Sequence, residues 1–131
     1  MENIIKNVEK QVMEIVKNDD GAFESDEQFC YAAGRAFSYV NNKRMASEKS
    51  KRVWNAQVVK SNTLEKLKRQ VMTTIKQNLG IVDNLPQERK NLYAFVAVYE
   101  VSNKKMKGDL QDCFILGTMA SFYKGYAKKE S

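Results

Sequence analysis

Apolar residues along this chain recur at steps of three and four, and they nowhere alternate with polar ones for long enough to make a half-buried strand. A chain patterned in this way buries its apolar surface by packing helices on one another, because each helix has one apolar stripe and needs a neighbour to cover it. The only proline, Pro86, leaves the pattern unbroken over most of its length. With 131 residues, 43% of them apolar, there is material for one core and one domain over residues 1–131. The expected fold class is therefore all-α, a compact bundle of five to six helices.

Ile5, Val8, Val12 and Ile15 form a first stripe of about four turns, ended by the turn signal Asp19, Asp20 and Gly21. Ser25 and Gln28 have capping-box spacing, which predicts a second helix with Phe29, Ala33, Ala36, Phe37 and Val40 inward. Residues 42–60 fit no single stripe and are read as a loop leading into a helix. Asn62 and Glu65 again have cap spacing. Leu64, Leu67, Val71, Ile75 and Leu79 make the next stripe, and Gly80 is its expected stop. Pro86 suits the first turn of a further helix, with Leu92, Phe95, Val96 and Tyr99 inward, and the nearly all-apolar run from Tyr93 to Val101 places it at the centre of the bundle. A last helix runs from about Asp109 to Lys128, with Leu110, Cys113, Phe114, Gly117, Ala120 and Tyr123 inward.

Two of these helices share a pattern. Gln28, Cys30, Tyr31, Gly34 and Tyr39 match Gln111, Cys113, Phe114, Gly117 and Phe122 at identical spacings. Glycine in mid-helix costs about 1 kcal/mol relative to alanine, so Gly34 and Gly117 suggest two helices crossing closely, although two amphipathic helices can also match by coincidence.

Charge is distributed unevenly. Residues 1–42 carry four basic against eight acidic groups, and residues 77–131 carry eight against six. The middle third, 43–76, holds ten basic groups (Lys43, Arg44, Lys49, Lys51, Arg52, Lys60, Lys66, Lys68, Arg69 and Lys76) against only Glu48 and Glu65. With so little acid nearby to neutralise them, these ten are the candidate nucleic-acid-binding residues. Lys66, Arg69 and Lys76 fall opposite the apolar stripe of their helix, where a phosphate backbone can lie along them, while Lys68 sits at the stripe's edge and has to snorkel outward. Lys104, Lys105 and Lys107 carry less weight, because Glu100, Asp109 and Asp112 bring their segment near neutral. Trp54 has the side chain to stack on an exposed base or to pack in a core, and its position leaves both open.

Histidine is absent from the sequence, which removes the usual general base, imidazole zinc sites and Ser-His or Cys-His triads. Asp19 with Asp20 and Asp26 with Glu27 are sequence neighbours that point apart, and serve as turn residues and helix amino-terminal charges. No phosphate loop, nucleophile elbow or metal-ligand spacing occurs. The chain is expected not to be an enzyme and to need no cofactor or metal. Cys30 and Cys113 are read as buried reduced thiols. No apolar run is long enough to span a bilayer and no signal-peptide pattern opens the chain, so a cytoplasmic location without membrane contact is expected.

The run from Asp26 to Val40, the basic stretch leading to the helix start at Asn62 to Lys68, and the closing helix around Phe114 and Gly117 together resemble the small subunit of type I-B CRISPR Cascade. That helical module also forms the carboxy-terminal part of the system's large subunit. The resemblance covers residues 26–128. Its most specific element is Gln28, Phe29, Gly34 and Tyr39, followed by Phe114 and Gly117, while residues 1–24 match no part of the pattern. It implies a non-catalytic subunit of an RNA-guided surveillance complex in antiviral defence, with nuclease activity residing in another protein. The implied partners are other Cascade subunits including copies of itself, the guide RNA and the target DNA backbone, with the displaced non-target strand held alongside. A helical structural adaptor that binds protein partners without touching nucleic acid is the alternative.

Overall fold

Residues 2–44 and 63–130 are described in the computed structural model, and every regular element among them is a helix. These are α1 (Glu2–Asn18), α2 (Asp26–Arg44), α3 (Leu64–Gln77), α4 (Leu79–Asp83), α5 (Gln87–Val98) and α6 (Asp109–Glu130). The loop and helix expected over residues 42–60 lie, from Met45 on, outside the described residues. Among the described residues no helix is long and apolar enough to cross a membrane.

The stripe of α1 buries Val8, Val12 and Val16, with Ile15 half-buried beside them. The helix ends because Asp19 takes a left-handed conformation (φ 59°) and donates its N–H to the Ile15 carbonyl at 3.1 Å, a position where a short polar side chain is tolerated. At the start of α2 the Ser25 hydroxyl accepts from the Gln28 N–H at 3.2 Å. Gln28 in turn accepts from the Glu24 N–H at 2.6 Å, one residue further back than the usual capping box. Its amide also donates to Gln11 of α1 at 2.9 Å, so the cap fastens two helices together.

The centre of the bundle is α2, not the segment Tyr93 to Val101. The expected stripe of Phe29, Ala33, Ala36, Phe37 and Val40 is buried, and so is every other residue from Gln28 to Val40. The polar members of that run are accommodated by hydrogen bonds. Ser38 donates to the Thr118 carbonyl at 3.0 Å, and Arg35 donates to the Tyr39 hydroxyl and to the Met13 sulfur at 2.9 Å. Arg89 of α5 lies over the Tyr39 ring with 4.3 Å from guanidinium carbon to ring centroid, so Tyr39 meets a guanidinium from two elements. Helix α5 ends at Val98, which is 71% exposed; Leu92, Tyr93 and Val96 point inward, while Phe95 and Tyr99 are half-buried against Phe23. Pro86 sits one position before the helix rather than in its first turn, and its carbonyl accepts from the Arg89 and Lys90 N–H groups.

The closest packing joins α2 to α6 at Gly34 and Gly117. A Cβ on Gly34 would collide with the Phe114 carbonyl and stand 3.1 Å from the Gly117 Cα; one on Gly117 would collide with the Tyr31 carbonyl. The matched glycines of the two similar helices therefore sit at one crossing, where backbones touch and no side chain fits. Leu110, Cys113, Phe114 and Gly117 face this seam, and the side chains of Ala120 and Tyr123 lie outside those described. Cys30 and Cys113 are both unbridged and buried, with the Cys30 sulfur 3.8 Å from that of Met106.

Candidate nucleic-acid interface

Helix α3 carries the part of the basic segment that the structure describes. Its amino-terminal cap is Thr63, not Asn62, which lies outside the described residues. The Thr63 hydroxyl accepts from the Lys66 N–H at 3.2 Å. Glu65 turns along the helix instead, to Arg69 at 3.3 Å. Leu64, Leu67, Val71 and Ile75 are buried, which fixes the rotation of the helix about its axis and so decides which side chains face water.

The expected stop at Gly80 is not used. The helix ends at Gln77, where the Asn78 N–H donates to the Ile75 carbonyl at 3.0 Å and its side-chain amide to the Thr74 carbonyl at 2.7 Å. With those carbonyls satisfied the chain turns, Leu79 leaves the stripe and is 53% exposed, and Gly80 falls inside the short helix α4.

Lys66, Arg69 and Lys76 are exposed on one side of α3, as the spacing requires. Ten residues at about 1.5 Å each set the outer two roughly 15 Å apart along the axis. The Arg69–Glu65 pair has both partners well exposed, and such a pair holds its cation only weakly. Lys68 departs from the expected role: it is half-buried, and its ammonium donates to the Tyr99 carbonyl at 2.6 Å rather than reaching solvent. It ties α3 to the segment after α5. Lys43 and Arg44 lie in the last turn of α2 with their side chains outside those described, and Lys49, Lys51, Arg52, Lys60 and Trp54 lie outside the described residues.

The segment 99–108 runs past the start of α3. The Leu64 N–H donates to the Lys104 carbonyl at 2.9 Å, and Thr63 and Lys105 form an isolated antiparallel bridge. Asp26 holds the segment from α2, accepting from the Tyr99 hydroxyl at 2.9 Å and pairing with the Lys104 ammonium at 3.2 Å. Burial, and then the Asp26 carboxylate, push the Tyr99 hydroxyl up to about 12.

Acidic groups gather elsewhere. Glu14, Asp20 and Glu24 line an open cleft of about 410 Å³ at the junction of α1 and α2, with Gln11, Asn18 and Gln28. Among the described residues no group of three or more His, Cys, Asp or Glu side chains is placed to hold a metal ion. No protein-family model, curated protein or solved structure matches the chain.

Proposed function

We propose that this protein is a non-catalytic subunit of an RNA-guided CRISPR surveillance complex, of the type I-B Cascade small-subunit kind, which binds nucleic-acid backbone and helps to hold the displaced non-target DNA strand. The observation that carries the reading is the cationic side of α3. Three exposed cations lie on a helix whose rotation is fixed by four buried aliphatic residues. Backbone contacts of this kind give affinity without sequence information. In an RNA-guided complex base pairing reads the sequence, so a subunit with no base-reading motif is sufficient. The residues that carry the resemblance have structural places in this fold: Gly34 and Gly117 form the central helix crossing, and Gln28 takes part in the cap of α2.

The test is binding of single-stranded DNA across a series of salt concentrations. Each phosphate neutralised on a single strand contributes about −0.7 to the log-log slope, so four contacts give roughly −3. Replacing Lys66, Arg69 and Lys76 together by glutamine keeps good helix formers at exposed positions, and the slope is expected to shrink by about 2 as three contacts disappear. Unchanged affinity and slope in that variant would remove the assignment. A protein-binding adaptor is the second reading, favoured by Ile115 and Met119, which are exposed one turn apart on α6. It requires that the parent protein show no salt-dependent DNA binding and co-purify with protein subunits alone.

A further inference from the structure

We infer that the nucleic-acid track does not end at the first turn of α3 but crosses to Lys105 and Lys107, whose sequence neighbourhood is near neutral. This rests on the backbone-binding reading above and adds a second element to it. The argument begins at the bridge between Thr63 and Lys105. Residues paired across an antiparallel bridge project to the same side, about 5 Å apart at Cβ, and residues one step along project to the other.

The observed contacts fix which side is which. Leu64 is fully buried, Met106 is buried with its sulfur 3.8 Å from that of Cys30, and the Lys104 ammonium pairs with Asp26. Lys104 and Met106 therefore face α2. Thr63 and Lys105 face away, and Lys107, two residues on from Lys105, follows the same alternation. Both lysines are exposed, and among the described residues neither forms an ion pair, while Lys104 does.

On the α3 side the Thr63 hydroxyl is within hydrogen-bond distance of the Lys66 N–H. Thr63 is thus bridged to Lys105 on the neighbouring segment and caps the first turn of α3 at the backbone N–H of Lys66. The cations Lys107, Lys105, Lys66, Arg69 and Lys76 form one path from two parts of the chain, joined at Thr63. A phosphodiester strand is the ligand such a path fits, since exposed point charges on flexible stems can each reach a phosphate without reading bases. Among the described residues neither Lys105 nor Lys107 is ion-paired to the acids of the 100–112 stretch, of which Asp109 and Asp112 belong to the first turn of α6, beyond the turn at Gly108.

The experiment compares single-stranded DNA binding, over a salt series, for the parent, K105Q/K107Q, K66Q/R69Q/K76Q and K10Q/K17Q, the last removing two exposed lysines of α1. For K105Q/K107Q the expected result is a slope smaller by about 1.4 and roughly tenfold weaker binding at 0.15 M salt, from two contacts at about 0.7 each. K10Q/K17Q should retain the parent slope. K105R/K107R should restore binding, which loss of a merely structural role would not predict, and unchanged circular dichroism shows that each variant is folded. If K105Q/K107Q behaves like K10Q/K17Q while K66Q/R69Q/K76Q loses affinity, the extension is wrong and the α3 site stands. If the parent shows no salt-dependent binding, both fall.

Discussion

A methyl group added at Gly34 would be driven into the Phe114 carbonyl, whereas one added at Gly80 would meet nothing within 4 Å. Alanine gains about 1 kcal/mol over glycine in a helix. At Gly34 this is outweighed by overpacking, which costs about 1–3 kcal/mol and more when backbone must move. Gly34→Ala and Gly117→Ala should therefore each lower the urea midpoint, and Gly80→Ala should raise it by the equivalent of up to about 1 kcal/mol. The two thiols give a second prediction at this scale. Burial, reinforced by Glu27, Asp109 and Asp112, pushes Cys113 from 9.0 up to about 11, and burial pushes Cys30 higher still. Since the thiolate is the reactive form, both should label slowly in the native protein at pH 8 and rapidly in denaturant. The unfolded chain gives up these protons first as pH rises, so for Cys113 stability is full below about 9 and is lost as pH approaches about 11. Midpoints that stay level across that window would contradict the linkage.

Helix α3 was legible where its own side chains decide the outcome and not where its neighbours do. The stripe Leu64, Leu67, Val71 and Ile75 and the opposed Lys66, Arg69 and Lys76 follow from a period of 3.6 alone. Both ends were missed. Asn62 is by composition at least as good a cap as Thr63, yet Thr63 is the one used, and it is also bridged to Lys105, a partner forty-two residues away that no local pattern reveals. Asn78 ended the helix before Gly80 because its amide could reach Thr74. The same distinction explains α2 and α5. Local hydrophobicity made Tyr93 to Val101 look central, yet the number of helices around an element is a tertiary property, and it buries Arg35 and Ser38 on α2 while leaving Val98 in water. Thr63 carries a prediction here. Thr63→Ala removes the cap and should cost about 1 kcal/mol. It should also raise amide exchange first at the opening turn of α3, which contains Lys66. If α3 exchanged no faster than α5 in that variant, Thr63 would not be the residue that anchors the track.

At the scale of the whole molecule, acid and base are segregated. The stretch 1–42 has twice as many acidic as basic groups, 43–76 five times as many basic as acidic, and three carboxylates gather in the cleft between α1 and α2. An approaching polyanion therefore feels attraction from one region and repulsion from another before any contact forms, and this long-range part is what salt removes. Glu14, Asp20 and Glu24 are not on the proposed path, so neutralising them in E14Q/D20N/E24Q should leave the contacts with single-stranded DNA intact and alter only the approach. The Debye length is about 30 Å at 0.01 M salt and about 3 Å at 1 M, so those carboxylates can act across a domain of this size in the first condition and not in the second. Stopped-flow measurement should show association several-fold faster than the parent at 0.01 M, a difference that fades by about 0.5 M, and a dissociation rate changed little throughout. Dissociation slowed at every salt concentration would place the strand in contact with the cleft itself and overturn the assignment of binding to the α3 side.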